Sequence, residues 1–369
     1  MKILWVRMNE KITFNRPATW FCLGLRGSGK SSFLEHIGES YLAKGHIIFD
    51  LFGSSDGEGL AWLRSPWIEE KRILLLKGEN VDVECSFPVK KAEDLTLHDV
   101  ETHDIIISAS PLYLNADQEF YNAAKITDLL YRRGHWKRLI YLIVREASNF
   151  YYSRLKVSDN QVMAKAQMIY LLREGRHHGI AIGLDSLRFY SIDIDIRNLS
   201  DYLVLKSQGV MGLAQDLKWL YNYFNSAIVR YMPPEYFILV TRTGALGLGQ
   251  FDYPKWHKEE KENILASVGI KVEYGEMPKQ AEYRGTFKTV SDDEHAEMIR
   301  LYIEEGLSMG AIAERLGRSS RTPVLQIHKH DEAVKRTGFC PACRRVQGKY
   351  QNVLAMKAKA EMHGKKKEA

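Results

Sequence analysis

Residues 20–45 read WFCLGLRGSGKSSFLEHIGESYLAKG, and this stretch decides the fold. It contains the run GLRGSGKS from Gly24 to Ser31, a full match to the pattern GxxxxGK[ST]. An apolar run precedes the match and a helix-forming run follows it, which is the strand–loop–helix context that the pattern requires. We therefore expect a phosphate-binding loop, in which backbone N–H groups and a helix N-terminus face an anion.

The polar positions of this loop have expected roles toward ATP and Mg²⁺. Lys30 would reach the β- and γ-phosphates, and Ser31 would hold Mg²⁺. A dinucleotide-binding turn fits less well, because it would need a small glycine-like residue at Ser32 and would leave Lys30 without a role. The loop residues expected to contact the nucleotide are Gly24, Gly27, Ser28, Gly29, Lys30, Ser31 and Ser32.

Short apolar runs alternate with helical patterns over the first two thirds of the chain. Strands are expected at 20–25, 46–51, 72–76, 104–109, 139–144, 180–184, 202–206 and 236–241. Helices are expected at 31–44, 118–132, 161–174 and 215–231. Continuously apolar runs are typical of strands buried on both faces of a parallel sheet. The alternation therefore predicts an α/β fold in which helices cover the sheet.

A second acidic position follows the apolar run LIYLIV. Glu146 would orient or deprotonate the attacking water of a nucleotide hydrolase, and the alternative is a carboxylate that only favours a helix start. The usual pattern at this point is Asp-Glu, whereas this chain has Arg145-Glu146. Ser31 would then be the inner protein contact to Mg²⁺, unless Asp50 or Asp185 at the ends of other predicted strands assists.

The segments GLRGSGKSS, LIYLIVREASNF and LLREGRHHGIAIGLDSLRF together resemble the HerA/FtsK superfamily of P-loop motors, over roughly residues 11–206. The resemblance implies a RecA-like (additional-strand) P-loop NTPase sheet flanked by helices, in a homo-oligomeric ring such as a hexamer. It implies a γ-phosphate sensor at Asp185 or Ser186, where Thr-Gln is usual. Arg176 matches the family's Gly-Arg position and would be a catalytic finger for a neighbouring subunit; a plain surface charge is the alternative.

The last quarter of the chain carries a separate helical pattern. Residues 291–306, 309–316 and those from about 319 predict three helices, and GLSMGAIAERLGRSSRTPVLQIHKH looks like the helix-turn-helix of resolvase-type and regulator DNA-binding domains. The third helix would enter the major groove of DNA, and a three-helix bundle for protein contacts is the alternative. The expected DNA contacts are Ser319, Ser320, Arg321, Thr322, Gln326, Lys329, Arg344 and Arg345.

The net charge of +6 is concentrated at one end of the chain. Residues 331–369 contain ten basic and four acidic side chains, so the rest of the chain is balanced. A basic end on a neutral body points to an anionic partner such as DNA. We expect a P-loop ATPase domain over 1–250, its end and a linker over 251–290, the helix-turn-helix over 291–337, and a CxxC knuckle with a basic tail over 338–369.

Cys340 and Cys343 form a CxxC pair, which is half of a tetrahedral zinc site. His328 and His330 would complete a Cys₂His₂ set for structural Zn²⁺, and His363 is a weaker option. A site shared between two chains, a degenerate site and a redox pair are the alternatives.

No apolar run approaches the roughly 20 residues of a membrane helix, and four cysteines are too few for a disulfide scaffold. We expect a cytoplasmic protein, in the host cytoplasm if it is viral. The predicted function is an ATPase that couples hydrolysis to DNA translocation or packaging. The alternatives are a nucleotide-gated DNA-binding regulator with weak or no hydrolysis, and an assembly ATPase similar to the zonula-occludens-toxin family that acts on protein partners.

Overall fold

The computed structural model describes residues 1–51, 57–132, 137–152, 158–257, 263–276, 290–318 and 321–345, the side chain of Arg321 excepted. The chain divides into two compact units, Met1–Met277 and Pro278–Ala369, here called the sheet unit and the helical unit. Each unit is described by itself. In the described ranges, no helix combines the length and apolar character needed to span a membrane.

The sheet unit is built on one large sheet of eleven strands, in the order β1-β12-β11-β10-β2-β9-β8-β3-β7-β4-β6. Its strands are β1 (Lys2–Arg7), β2 (Thr19–Leu23), β3 (Ile47–Leu51), β4 (Ile73–Lys77), β6 (Val89–Lys91), β7 (Ile105–Ser108), β8 (Ile140–Val144), β9 (Ile180–Ser186), β10 (Tyr202–Leu205), β11 (Tyr236–Thr241) and β12 (Leu246–Gln250). The eight strands from β10 to β6 run parallel, while β11, β12 and β1 extend the sheet antiparallel.

Strand β9 lies between β2, which leads into the phosphate-binding loop, and β8, which leads to Glu146. Leu23 pairs with Ser186 on one side of β9, and Val144 pairs with Leu184 on the other. This inserted strand and the mostly parallel sheet fit the predicted RecA-like, additional-strand α/β class. All residues of β2, β8 and β9 are buried, as their continuously apolar sequences predict.

The helices of the sheet unit are α1 (Lys30–Leu42), α2 (Leu97–Thr102), α3 (Ala116–Arg132), α4 (Asp159–His178), α5 (Ile194–Asn198), α6 (Ser226–Tyr231) and α7 (Ile264–Ser267). Helix α1 packs against the four central strands β2, β9, β8 and β3. The single helix predicted over 215–231 is wrong. A 3₁₀ segment, Gln215–Asn222, comes first, and Asn225 then starts α6 as its N-cap by accepting a hydrogen bond from the Ala227 N–H.

A second, two-stranded sheet pairs β5 (Val81–Glu84) with β13 (Lys271–Tyr274) in antiparallel orientation. Trp256 and Ile270 are buried in the main core of the sheet unit. These contacts show that residues beyond 250 still pack in this unit.

The helical unit contains α8 (Asp292–Ile303), α9 (Met309–Arg315) and α10 (Arg321–Thr337). The side chains of Ser291 and Ser308 cap α8 and α9 by accepting hydrogen bonds from backbone N–H groups three residues on. Its small apolar cluster contains Met298, Leu301 and Ile312. On α10, Val324 is 45% exposed, whereas Ile327 is buried.

Candidate functional site

The phosphate-binding loop lies at the edge of the sheet where β2, β9 and β10 end. The N–H of Gly24 donates to the carbonyl of Ser186 at 3.2 Å, and the N–H of Leu25 donates to the carbonyl of Ser207 at 3.0 Å. Gly29 has a φ of +81°, and a Cβ there would lie 2.8 Å from the carbonyl oxygen of Pro234. The two neighbouring strand ends therefore fix the loop, and only glycine fits at its last turn.

The polar side chains of the loop converge on its interior. Lys30 is 7% exposed, and its Nζ donates to the carbonyl of Leu25 at 3.1 Å across the loop. The hydroxyls of Ser28 and Ser32 are buried and have no hydrogen-bond partner within the described ranges. Unsatisfied buried hydroxyls cost free energy unless a ligand meets them. The loop and the first turn of α1 thus contain a buried cation, Lys30, and two buried hydroxyls without a partner in the described ranges, those of Ser28 and Ser32.

Glu58 is a site residue that the sequence analysis missed. The Ser31 hydroxyl donates to Glu58 Oε2 at 2.8 Å. Glu58 begins a 3₁₀ helix, Glu58–Arg64, seven residues after strand β3 ends. A hydroxyl and a carboxylate at this spacing are a hard-oxygen pair of the kind that Mg²⁺ prefers. The sequence signal was weak, because the stretch after β3 carries no recognised spacing to the loop.

Arg145 is completely buried and bound by acidic side chains, here called the Arg145 cluster: Arg145, Asp50, Glu35 and Glu58. Its guanidinium donates to both carboxylate oxygens of Asp50 at 2.7–3.2 Å and to Glu35 Oε1 at 2.6 Å. Its Nη1 lies 3.7 Å from Glu58 Oε2. Arg145 thus joins α1, the end of β3 and the turn at Glu58.

Burial and ion pairing oppose each other in the Arg145 cluster, and burial raises the pKa of Asp50 although Arg145 partly offsets the shift. Burial opposes the charge on Arg145, but Asp50 and Glu35 outweigh it and hold its pKa well above the ordinary value. Burial would likewise raise the pKa of Glu35, yet His257 and Arg145 lower it. His257 Nδ1 lies 2.8 Å from Glu35, so a second basic side chain borders the Arg145 cluster. Asp50, considered as an aid to Mg²⁺, is instead held by Arg145 and by the indole N–H of Trp62.

Glu146 and Asp185 meet at the ends of β8 and β9. The backbone N–H of Glu146 donates to the Asp185 carboxylate, and the N–H of Ala147 donates to the Asp185 carbonyl at 2.9 Å. Glu146 has a φ of +44°, so its backbone is left-handed and breaks the extended course of β8. Its side chain is half-buried. Burial raises the pKa of Asp185 to about 6, and Lys30 partly offsets this shift. Asp185 is therefore bonded to the turn at Glu146 and is close enough to Lys30 for the ammonium to lower its pKa.

Two other predicted site residues are engaged elsewhere. The Ser186 hydroxyl makes local contacts with the Arg188 carbonyl and with Ser191 at 3.0 Å. Arg176 is half exposed and pairs with Asp201 at 3.2 Å. Asp201 accepts a hydrogen bond from the N–H of Thr19, at the beginning of β2. Because the phosphate-binding loop follows the other end of β2, Arg176 does not lie in the site of its own chain, and its role toward a neighbour stays a prediction.

The predicted DNA contacts in the helical unit have mixed placements. Ser319, Ser320 and the side chain of Arg321 lie outside the described residues. Lys329 and Arg344 are exposed, Thr322 is half-buried, and Arg345 pairs with Glu304 at 2.6 Å. Gln326 is turned inward, where its Oε1 accepts a hydrogen bond from His295 Nδ1 at 2.9 Å. Gln326 is thus held by the unit itself, whereas Lys329 and Arg344 are open to a partner.

The CxxC pair lies beside two histidines, but not the two that were predicted. His295, His330, Cys340 and Cys343 offer one nitrogen or sulfur atom each, and these four atoms lie within 4.8 Å of one another. His328 is 70% exposed in its side chain and lies 3.7 Å from Glu332. The two histidines of α10 are two residues apart, so they point to nearly opposite faces of the helix. His295, on α8, takes the place that the sequence assigned to His328.

No family model matches the chain, and no curated protein is similar to it in sequence. Similar solved structures include the genome packaging NTPase B204 from Sulfolobus turreted icosahedral virus 2 with ATP-gammaS, at 14% identity over 64% of this chain and 98% of that chain, with a TM-score of 0.39. Another is the pCW3 conjugation coupling protein TcpA with ATPgS, at 16% identity over 72% and 69%, with a TM-score of 0.38. A third is EccC (ATPases 2 and 3) from Thermomonospora curvata, at 14% identity over 68% and 41%, with a TM-score of 0.37.

Proposed function

We propose that this protein is an ATPase that couples ATP hydrolysis to DNA translocation or packaging, as a ring of identical subunits. The observation that carries the proposal is the end of β9, which is hydrogen-bonded to Gly24 of the loop on one side and to the turn at Glu146 on the other. Strands β2 and β8 are two strand spacings apart, about 10 Å. That separation leaves room for a phosphate and an attacking water between the loop and Glu146.

The residues of the loop fit ATP. The unsatisfied hydroxyls of Ser28 and Ser32 and the buried ammonium of Lys30 are the donors that phosphate oxygens accept from. A Cβ on Gly24 would lie 2.6 Å from both the Lys206 Cβ and the Ser28 hydroxyl, so this glycine keeps the cradle open. On binding, Lys30 would exchange its bond to the Leu25 carbonyl for one to phosphate.

Ser31 and Glu58 fit Mg²⁺. Both present oxygen atoms, and Glu58 supplies the carboxylate that the replacement of Asp by Arg145 removes. When bound, the ion neutralises charge on the transferred phosphoryl group. Glu146 would orient the attacking water and accept its proton. Asp185 would position Glu146, since it holds the backbone N–H of that residue.

Replacing Glu58 by glutamine should raise the Mg²⁺ concentration needed for half-maximal ATPase activity by about 10-fold or more, because a neutral amide is a poorer ligand than a carboxylate. A titration of activity with MgCl₂ measures this. Glu69→Gln is the matched control, since Glu69 is exposed in the next 3₁₀ turn. An unchanged Mg²⁺ requirement in Glu58→Gln would remove Glu58 from the metal site.

The helical unit is proposed to bind DNA. Support comes from the exposed cations Lys329 and Arg344 and from the basic composition of residues 331–369. Contacts to phosphates release counterions, so binding should weaken steeply with salt.

A chain ending at Met277 should lose DNA affinity and keep ATP binding, because the loop and Glu146 lie wholly within the sheet unit. Fluorescence anisotropy with a labelled duplex at several salt concentrations measures the affinity. A chain ending at Arg345 is the control for the tail alone, and it should bind with a shallower dependence on salt. If the chain ending at Met277 binds DNA as the full chain does, the DNA-binding assignment fails.

The motor itself is tested by ATP turnover with and without duplex DNA, together with the particle size with and without ATP. We expect DNA to stimulate turnover and ATP to favour the ring. A regulator with weak hydrolysis is the second candidate, since Arg145 takes the position of a usual metal-binding Asp. Intact ATP binding with no DNA-stimulated turnover would favour that regulator over the motor.

A further inference from the structure

The helical unit ends in a side-chain cluster that neither ATP hydrolysis nor the expected DNA contacts use. We propose that His295, His330, Cys340 and Cys343 form a structural Zn²⁺ site that holds the first helix of this unit, its last helix and the CxxC turn together. The four ligand atoms lie within 4.8 Å of one another, and three of the four residues are buried.

The interatomic distances match tetrahedral zinc. Cys340 Sγ lies 3.4 Å from His295 Nε2, and Cys343 Sγ lies 3.3 Å from His330 Nδ1. Zinc bonds of about 2.3 Å to sulfur and 2.0–2.1 Å to nitrogen at a tetrahedral angle place sulfur and nitrogen about 3.5 Å apart. Two Cys and two His complete the four-coordinate set of a closed structural site. Two thiolates also balance the charge of one Zn²⁺ ion.

A hydrogen bond to Gln326, which is not itself a proposed ligand, orients the ring of His295. The Gln326 side-chain oxygen accepts from His295 Nδ1 at 2.9 Å, which assigns the proton to Nδ1 and leaves the Nε2 lone pair directed toward Cys340. Zinc-bound histidines almost always donate their second N–H in this way. Gln326 is therefore a positioning residue of the proposed site.

The CxxC turn is preorganised around its sulfur atoms. The N–H of Arg344 donates to the Cys340 carbonyl at 2.7 Å, and the N–H of Cys340 donates to the Arg345 carbonyl at 2.9 Å. Arg344 adopts a left-handed φ of +56° that closes the turn. Both sulfur atoms thus face the histidines from a turn held by its own backbone.

The small apolar core of the helical unit explains how a bound metal would stabilise its fold. In the part of this unit that the structure describes, the apolar cluster contains Met298, Leu301 and Ile312, with Val290, Tyr302, Leu307 and Leu316 packed against it. Small domains with a limited apolar core are often stabilised by a metal or by disulfides. A bound Zn²⁺ would tie α8 to the end of α10, so folding of this unit would depend on the metal.

The test is zinc content of the full chain, purified without chelator and measured by inductively coupled plasma mass spectrometry. We expect about one Zn²⁺ per chain, lost in His295→Ala and in Cys340→Ser. His328→Ala and Cys85→Ser are matched controls that should keep the metal, because His328 is exposed and Cys85 belongs to the sheet unit. Gln326→Ala should weaken zinc affinity about 10-fold or more in a chelator competition.

A second readout separates a lost ligand from a failure to fold. Binding of a fluorescent ATP analogue reports on the sheet unit and should not change in any of these variants. Co²⁺ titration of the metal-free full chain should give the visible absorption of tetrahedral thiolate coordination, and Cys343→Ser should change it. Absence of zinc and of the Co²⁺ spectrum in the wild-type chain would overturn the proposal, as would loss of zinc in His328→Ala with retention in His295→Ala.

Discussion

Replacing Glu146 by glutamine should lower ATP turnover by about 100-fold or more while ATP binding is retained, because the variant keeps the shape of the side chain and loses its proton-accepting oxygen. Asn149 donates to Glu146 Oε2 at 3.1 Å, and the backbone N–H of Glu146 is held by Asp185. Glutamine preserves the backbone bond and the left-handed turn. Steady-state phosphate release measures the loss, and a fluorescent ATP analogue measures binding.

Glu174→Gln is the control for Glu146→Gln, since Glu174 is exposed on α4. It should hydrolyse ATP at the wild-type rate, with and without DNA. Wild-type turnover in Glu146→Gln would show that another group activates the water. Asp185 would then be the next residue to test, because it lies at the same sheet edge and is close enough to Lys30 for the ammonium to lower its pKa.

Replacing Arg145 by methionine should destabilise the sheet unit by about 3–5 kcal/mol, because it leaves the carboxylates of Asp50 and Glu35 buried without their shared cation. Both carboxylates and the guanidinium are fully buried, so water cannot compensate for the loss. All seven tryptophans of the chain lie in the sheet unit, so their fluorescence measures its unfolding by urea. ATP binding should weaken as well, since the Arg145 cluster reaches Glu58 and through it Ser31.

Arg132→Met is the control for Arg145→Met. Arg132 pairs with Asp128 on the surface of α3, at 76% side-chain exposure, and its loss should cost at most about 1 kcal/mol. Adding Asp50→Asn and Glu35→Gln to Arg145→Met should recover part of the stability, because neutral amides tolerate burial better than unpaired carboxylates. Equal stability of Arg145→Met and the wild type would show that the cluster contributes nothing to folding.

The central sheet could be predicted because its signals are local. The eight predicted strands, among them β2, β8 and β9, are all present, since a continuous apolar run identifies a strand buried on both faces. Three strands of this sheet, β1, β6 and β12, escaped prediction, and β6 is only three residues long. Strand β1 alternates exposed and half-buried side chains, and β12 contains two glycines in the run LGLGQ, which is atypical of strands.

Residues of the site could be predicted from the sequence most directly where a single motif contains them. The loop from Gly24 to Ser31 needs no partner distant in sequence to be recognised. Glu58 could not be assigned, because its contact to Ser31 depends on the tertiary fold, which brings the turn at Glu58 next to the start of α1. His295 was missed for the same reason, as it lies 45 residues from the cysteine that it faces. Helical geometry alone would have rejected one of His328 and His330, because they lie about 200° apart around α10.

The Arg145 cluster also constrains how this chain can diverge. Replacing Arg145 by Asp would place a third carboxylate next to Asp50 and Glu35 in a space that excludes water, and like charges there cannot all ionise. Loss of Asp50 or Glu35 alone would also be unfavourable while Arg145 remains, because the charge of the buried guanidinium would be poorly compensated. The stability contribution of Arg145 is therefore coupled to that of its acidic partners: we expect Arg145 to be replaced without a large loss of stability only when Asp50 and Glu35 change with it.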